Sequence, residues 1–147
     1  MNKDSLQKHI HTIIKLYSEG QIKEALDKVE NLINEFPNEA ILFNINGVCY
    51  KAIGDHNSSI KCFKKALIID PKYTEVNYNL ALTFQELGQL EISISYYEKA
   101  LAENPNYLEA LNNLGKALKD SGRLNDAVKY YEKALIVNPN FLEAYNN

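Results

Sequence analysis

Proline occurs four times in this chain, at Pro37, Pro71, Pro105 and Pro139, and each step is 34 residues. Gly20, Gly54, Gly88 and Gly122 keep the same interval, while Gly47 and Gly115 stand two intervals apart. These residue types punctuate backbone, so a period they share means that the turns themselves recur. A chain with periodic turns stacks copies of one supersecondary unit, each burying a face that it could not bury alone.

The period divides the sequence into units 6–39, 40–73, 74–107 and 108–141, followed by 142–147, which repeats the start of unit four. Within units, apolar residues fall at helical spacing. Leu124, Ala127, Val128, Tyr131, Ala134 and Leu135 form one stripe, and Leu111, Leu114, Ala117 and Leu118 another. This predicts a first helix, A, near 5–18, 41–53, 75–87 and 109–121, and a second, B, near 23–35, 57–69, 91–103 and 125–137. Glycine sits in the A–B turn, where a positive φ carries no side-chain penalty. Proline follows B, where it stops the helix by lacking an amide proton. Glu75, Glu109 and Glu143 begin the next A helix, favoured there by the positive end of its dipole.

Composition narrows the function. With 16 basic and 19 acidic residues the net charge is -3, the wrong sign for neutralising phosphates, so no nucleic-acid partner is expected. No apolar run approaches a bilayer's thickness, so no membrane insertion is expected. Met1 to Gly20 lacks a continuous apolar core, and two cysteines, Cys49 and Cys62, fit buried thiols in a reducing, cytoplasmic setting. His9 and His11 point away from each other on a helix, and no phosphate loop, nucleophile elbow or zinc-type cysteine pair is present. Neither catalysis, nor a metal, nor a cofactor is expected.

The period and the residues at each place resemble the tetratricopeptide repeat (TPR) family. Unit four supplies Leu111, Leu114, Gly115, Leu118, Ala127, Tyr131, Ala134 and Pro139. Unit three supplies Asn77, Leu80, Ala81, Phe84, Ser93, Tyr97, Ala100 and Pro105. Unit two keeps Phe43, Gly47, Tyr50, Ser59, Phe63, Ala66 and Pro71 but has Asn46 where the family has leucine, and unit one is degenerate. Small residues at 47, 81 and 115 are expected to meet the large ones at 63, 97 and 131. The resemblance implies an all-α, right-handed α-solenoid of antiparallel helix-turn-helix units. Its A helices would line a concave groove that takes an extended or helical peptide segment of a protein partner.

Carried onto this sequence, the groove would be formed by Asn44, Tyr78, Asn79, Leu82, Asn112, Asn113, Lys116 and Asn147. The sixth position of the units reads His11, Ile45, Asn79, Asn113 and Asn147. Asparagine is a poor helix former, but a carboxamide can bond both groups of a peptide unit. A row of them is similar to the asparagine ladder in the superhelical repeats of O-GlcNAc transferase-type proteins. Asparagine is also abundant here, 18 of 147 residues, so composition and copying alone would place some in register. The chaperone-tail carboxylate clamp of related domains is absent, because the fifth and ninth positions hold Ile10, Asn44, Tyr78 and Asn112, and Ile14, Val48, Leu82 and Lys116.

Earlier in the chain the stripe is apolar: Ile10, Ile14, Tyr17, Ile41, Ile45 and Val48. This is either packing against a neighbouring helix or a surface for a partner helix or self-association through the terminal repeats. The expectation is a protein-interaction scaffold. Its alternatives are the recognition arm of a larger, glycosyltransferase-like enzyme with catalysis elsewhere, and a self-associating structural oligomer. Because 142–147 begins a fifth unit, the chain is expected to be a piece of a longer array.

Overall fold

The computed structural model describes residues 3–141 and 144, with side chains from Ser5. Expectations that rest on residues 142, 143 and 145–147, namely Glu143, Asn147 and the fifth helix, lie outside the described residues. Eight α-helices follow one another: α1 (Lys3–Ser18), α2 (Ile22–Glu35), α3 (Ala40–Ala52), α4 (His56–Ile69), α5 (Thr74–Glu86), α6 (Leu90–Glu103), α7 (Leu108–Asp120) and α8 (Leu124–Val137). The fold class is that of an all-α helical-repeat solenoid. The A and B helices lie where the 34-residue period puts them, with α2 to α8 starting one residue earlier than the spacing predicts.

The turns explain the period. Gly54 has φ 79°, and its counterparts at 20, 88 and 122 have φ between 72° and 82°, a left-handed conformation that side chains resist. At each, the glycine N–H and the next N–H close back on the preceding helix. At the α3–α4 turn Gly54 N bonds Lys51 O at 2.9 Å and Asp55 N bonds Tyr50 O at 3.0 Å. Each B helix ends two residues before its proline, as α4 does at Ile69, with Asp70 as the cap before Pro71. Glu75 and Glu109 stand in the first turns of α5 and α7 as the dipole argument expects.

The chain folds as two compact bodies, 1–71 and 72–147. In the first, each of α1 to α4 packs on its neighbour around Ile13, Val29, Leu42 and Cys49. In the second, α5 to α8 do the same around Tyr97, Leu111, Leu114 and Leu118. The small-to-large seam closes within a helix pair. A methyl placed on Gly47 would lie 2.5 Å from Cε1 of Phe63, and one on Gly115 would lie 2.5 Å from Cε1 of Tyr131. Only a bare backbone lets these rings lie flat on helix A.

One predicted stripe is narrower than expected. Ala127, Tyr131 and Ala134 are buried, but Leu124 and Val128 are 60% and 53% exposed. Helical spacing identifies the apolar face of α8, whereas burial also needs a neighbour. Ile94, which holds the place of Val128 in α6, is buried at 3% in a helix that packs on α7.

Candidate peptide-binding face

The residues expected to line a groove fall on the A helices of both bodies, and each body is described separately. In the second body, Tyr78, Asn79 and Leu82 are half-buried on α5, Asn113 is half-buried on α7, and Lys116 is exposed. Asn112 does not belong with them: it is 4% exposed, closed into the packing of α7. The fifth position of a unit is therefore open to a ligand only where its neighbours leave it so.

Two of these residues meet directly. Asn113 Nδ2 donates to the Tyr78 hydroxyl at 2.9 Å. Tyr78 is itself held between two rings, Tyr107 at 4.9 Å and Tyr97 at 5.9 Å between centroids. Tyr97 is fully buried and its hydroxyl donates to Gln85 Oε1 at 2.7 Å. Burial holds the Tyr97 phenol protonated far into the alkaline range. It pushes Tyr107 up to about 12, with the neighbouring Tyr78, Glu109 and Glu75 adding to the shift. Tyr97 and Tyr107 are therefore neutral at any physiological pH, and their rings hold Tyr78 in place under the Asn113 carboxamide. Anchoring uses one of its two N–H groups. One N–H and the carbonyl oxygen can then serve a peptide unit.

The tyrosine cluster was not expected from the sequence. A signal for it exists in the aromatic residue that precedes helix A at the same interval, Tyr73, Tyr107 and Phe141. Beside Asn79, the Thr83 hydroxyl donates back to the Asn79 carbonyl at 2.8 Å, a bond internal to α5.

In the first body, Asn44, Ile45 and Val48 are half-buried on α3. The apolar stripe divides. Ile10 is core, at 8% exposure, against the expectation of a surface patch, whereas Ile14, Tyr17 and Ile41 are 51%, 36% and 37% exposed. Ile10, Ile14 and Ile41 share a cleft of about 340 Å³ with Leu6 and His11. Packing explains the buried end of the stripe and leaves its outer edge open. His9 and His11 are exposed, each with Nδ1 against a carbonyl of its own helix, Ser5 O at 2.7 Å and Gln7 O at 3.1 Å.

Among the described residues no group of three His, Cys, Asp or Glu side chains is arranged to hold a metal ion. No helix among them is long and apolar enough to cross a membrane. Both cysteines are free and buried.

None of the curated proteins compared with the chain matches it. Among solved structures, the chain is similar to a crystal structure of MamA, at 26% identity over 89% of this chain and 77% of that one, with a TM-score of 0.82. It is similar to the first TPR of Spaghetti bound to an HSP90 peptide, at 29% identity over 74% of this chain and 86% of that one, with a TM-score of 0.71. MamA from Desulfovibrio magneticus RS-1 shares the fold, at 18% identity over 94% of this chain and 78% of that one, with a TM-score of 0.84. The family model described as "Tetratricopeptide repeat" matches residues 72–136, and the one described as "TPR repeat" matches 47–88. Turns, small-to-large seams and family matches over more than half of the sequence agree, and the chain belongs to the tetratricopeptide repeat family.

Proposed function

We propose that this chain is a non-catalytic interaction scaffold whose second body grips an extended segment of a protein partner along the A-helix face of α5 and α7. The observation that carries this reading is the Asn113 carboxamide, fixed by Tyr78 with one donor and one acceptor to spare. Asn79, one interval earlier, supplies the second carboxamide of a short ladder, flanked by Leu82 and Lys116. Such a face reads backbone more than sequence. The similar domain bound to an HSP90 peptide supports a peptide as the class of ligand. The specificity differs from a carboxylate clamp, because Tyr78 and Asn112 stand at fifth positions where the clamp needs lysine. The free buried thiols support a reducing, cytoplasmic location.

The test begins with peptides selected from a random library on the immobilised protein. Asn79→Ala with Asn113→Ala should weaken the selected peptides by about tenfold or more while the melting temperature holds. Tyr78→Phe, which removes the hydroxyl that Asn113 bonds, should cause a smaller loss. Affinity unchanged in both variants would sink the reading.

The cleft beside Ile14 and Ile41 supports a second reading, self-association through the first body. Sedimentation of the wild type and of Ile14→Glu with Ile41→Glu separates the two. A monomer at every concentration removes self-association.

A further inference from the structure

Asn46 breaks the family pattern in a place where a polar group is costly. At the same register units three and four hold Leu80 and Leu114, both fully buried, while unit one has the exposed Thr12, and Asn46 is itself 6% exposed. Its Oδ1 is enclosed and accepts no hydrogen bond, a loss of about 1–3 kcal/mol for a buried acceptor. Asn46 lines a recess of about 460 Å³ between α3 and α4, together with Tyr50 and Cys62. The rest of the lining is mostly the exposed Lys61, Lys64 and Lys65, with Ile68 beside them at 80% exposure.

The charges around this recess are unbalanced. Between His56 and Ile69, α4 carries three lysines and no acid. Two carboxylates lie nearby, hydrogen-bonded to neutral donors and still charged, so the three lysines outnumber them by one. Asp55 caps α4, accepting from Ser58 N at 3.0 Å and Ser58 Oγ at 2.7 Å, and Glu30 accepts from the Tyr50 hydroxyl at 2.5 Å. Lys65 rests near the Phe43 ring, 5.6 Å from its centroid.

The second body has a recess of about 450 Å³ at the corresponding residues two intervals on, and there the charges are matched. Asp126 pairs with Arg123 at 3.3 Å and Lys129 at 3.0 Å, Lys133 lies 4.8 Å from the Tyr130 centroid, and Glu98 and Glu132 join the lining. The same backbone feature thus carries direct ion pairs in its lining in one body, while in the other three lysines line it and the two nearby carboxylates bond neutral groups.

We propose that the α3–α4 recess is a docking site for an acidic segment of a protein partner, with carboxylates meeting Lys61, Lys64 and Lys65 and an apolar side chain lying on Ile68. The groups available are donors, three ammoniums and the Asn46 amide, which suits a ligand made of acceptors. Lys61 to Lys65 covers about one helical turn, roughly 6 Å, too little to follow a phosphodiester strand. A free phosphate would find no nest of backbone N–H groups here and no use for Ile68. The site uses the seventh and eleventh positions of helix A together with helix B, so it is separate from the A-helix face proposed above and independent of that reading.

The probe is a fluorescein-labelled peptide of alternating glutamate and leucine, with its glutamine counterpart as control, titrated with the full chain and followed by fluorescence anisotropy. The acidic peptide should bind about tenfold or more tightly than the control, and Lys61→Gln with Lys65→Gln should remove that advantage. Asn46→Leu should lower affinity while raising the melting temperature, so weakened binding is not a failure to fold. Lys129→Gln with Lys133→Gln should leave binding unchanged. The proposal is overturned if the control peptide binds equally, if the Lys129 and Lys133 variant loses as much as the Lys61 and Lys65 variant, or if Asn46→Leu is without effect on affinity.

Discussion

Helices α3 and α7 hold the same place in their repeats, two intervals apart, and each lays a glycine under an aromatic ring of the helix that follows. Around that shared seam the two bodies part company. In α7 the residue before the glycine is Leu114, fully buried in a continuous apolar core. In α3 it is Asn46, buried almost as deeply with its carboxamide oxygen unsatisfied. One interval separates Ser59 from Ser93, and both are fully buried. The Ser93 hydroxyl donates to Ala81 O at 2.8 Å, while that of Ser59 has no partner. The repeat geometry thus tolerates polar residues in the first body without compensating them, so backbone period and interior chemistry are set by different residues.

If that reading is right, equal truncations should have unequal effects. Leu114→Ala should cost about 2–5 kcal/mol, the range for emptying a packed leucine site. Asn46→Ala should cost far less, because it removes an unpaired acceptor along with its volume. Denaturant unfolding of the two variants makes the comparison, and equal losses would break it. The glycine seam should behave alike in both bodies. Gly47→Ala and Gly115→Ala each force a ring off the helix, costing about 1–3 kcal/mol before the roughly 1 kcal/mol gained in helix propensity is returned. Melting temperatures should fall in both, and Phe63→Leu should recover part of the loss in Gly47→Ala.

Such contrasts mark how far the sequence could be read. The interval fixes turns and helices because a left-handed glycine and a helix-ending proline act locally, within one turn of where they stand. Gly47 with Phe63 was legible for the same kind of reason, small against large at fixed spacing. The proposed binding face was less so. Asn113 could be placed on helix A from its register, but its anchor on Tyr78 crosses between repeats and depends on how two rings pack around that tyrosine. Asn112 and Ile10 sit at expected surface positions and are buried, because exposure is decided by neighbouring helices rather than by the helix that carries the residue. The cationic recess was visible only as a family departure at Asn46, since its lysines read one by one as an ordinary solvated face.

A smaller effect separates the two buried serines. Ser93→Ala should destabilise by about 0.5–1.5 kcal/mol, the net worth of an intramolecular hydrogen bond. Ser59→Ala should be neutral or slightly stabilising, because the hydroxyl it deletes is buried without a partner. Thermal melts of the single variants and the wild type decide this, and equal losses at the two positions would mean that the Ser59 hydroxyl has a partner in solution.

The smallest difference appears only at alkaline pH. Both thiols, Cys49 and Cys62, lie in the first body, and burial pushes each from 9.0 up to about 11. A group whose folded pKa is raised binds its proton more tightly in the folded state, so its contribution is intact below pH 9.0 and is lost as pH climbs towards 11. Stability should therefore decline with a steeper slope between those limits than in Cys49→Ala with Cys62→Ala, whatever the absolute cost of that double variant. The Tyr50 hydroxyl, raised to about 12 chiefly by its hydrogen bond to Glu30, adds an alkaline limb of its own from about pH 10 upwards. It is present in both proteins and cancels from the difference in slopes except for the part of its shift that Cys62 causes. Parallel slopes would show that the first body admits solvent to its thiols, and that its unpaired polar interior is looser than the packing of α3 on α4 implies.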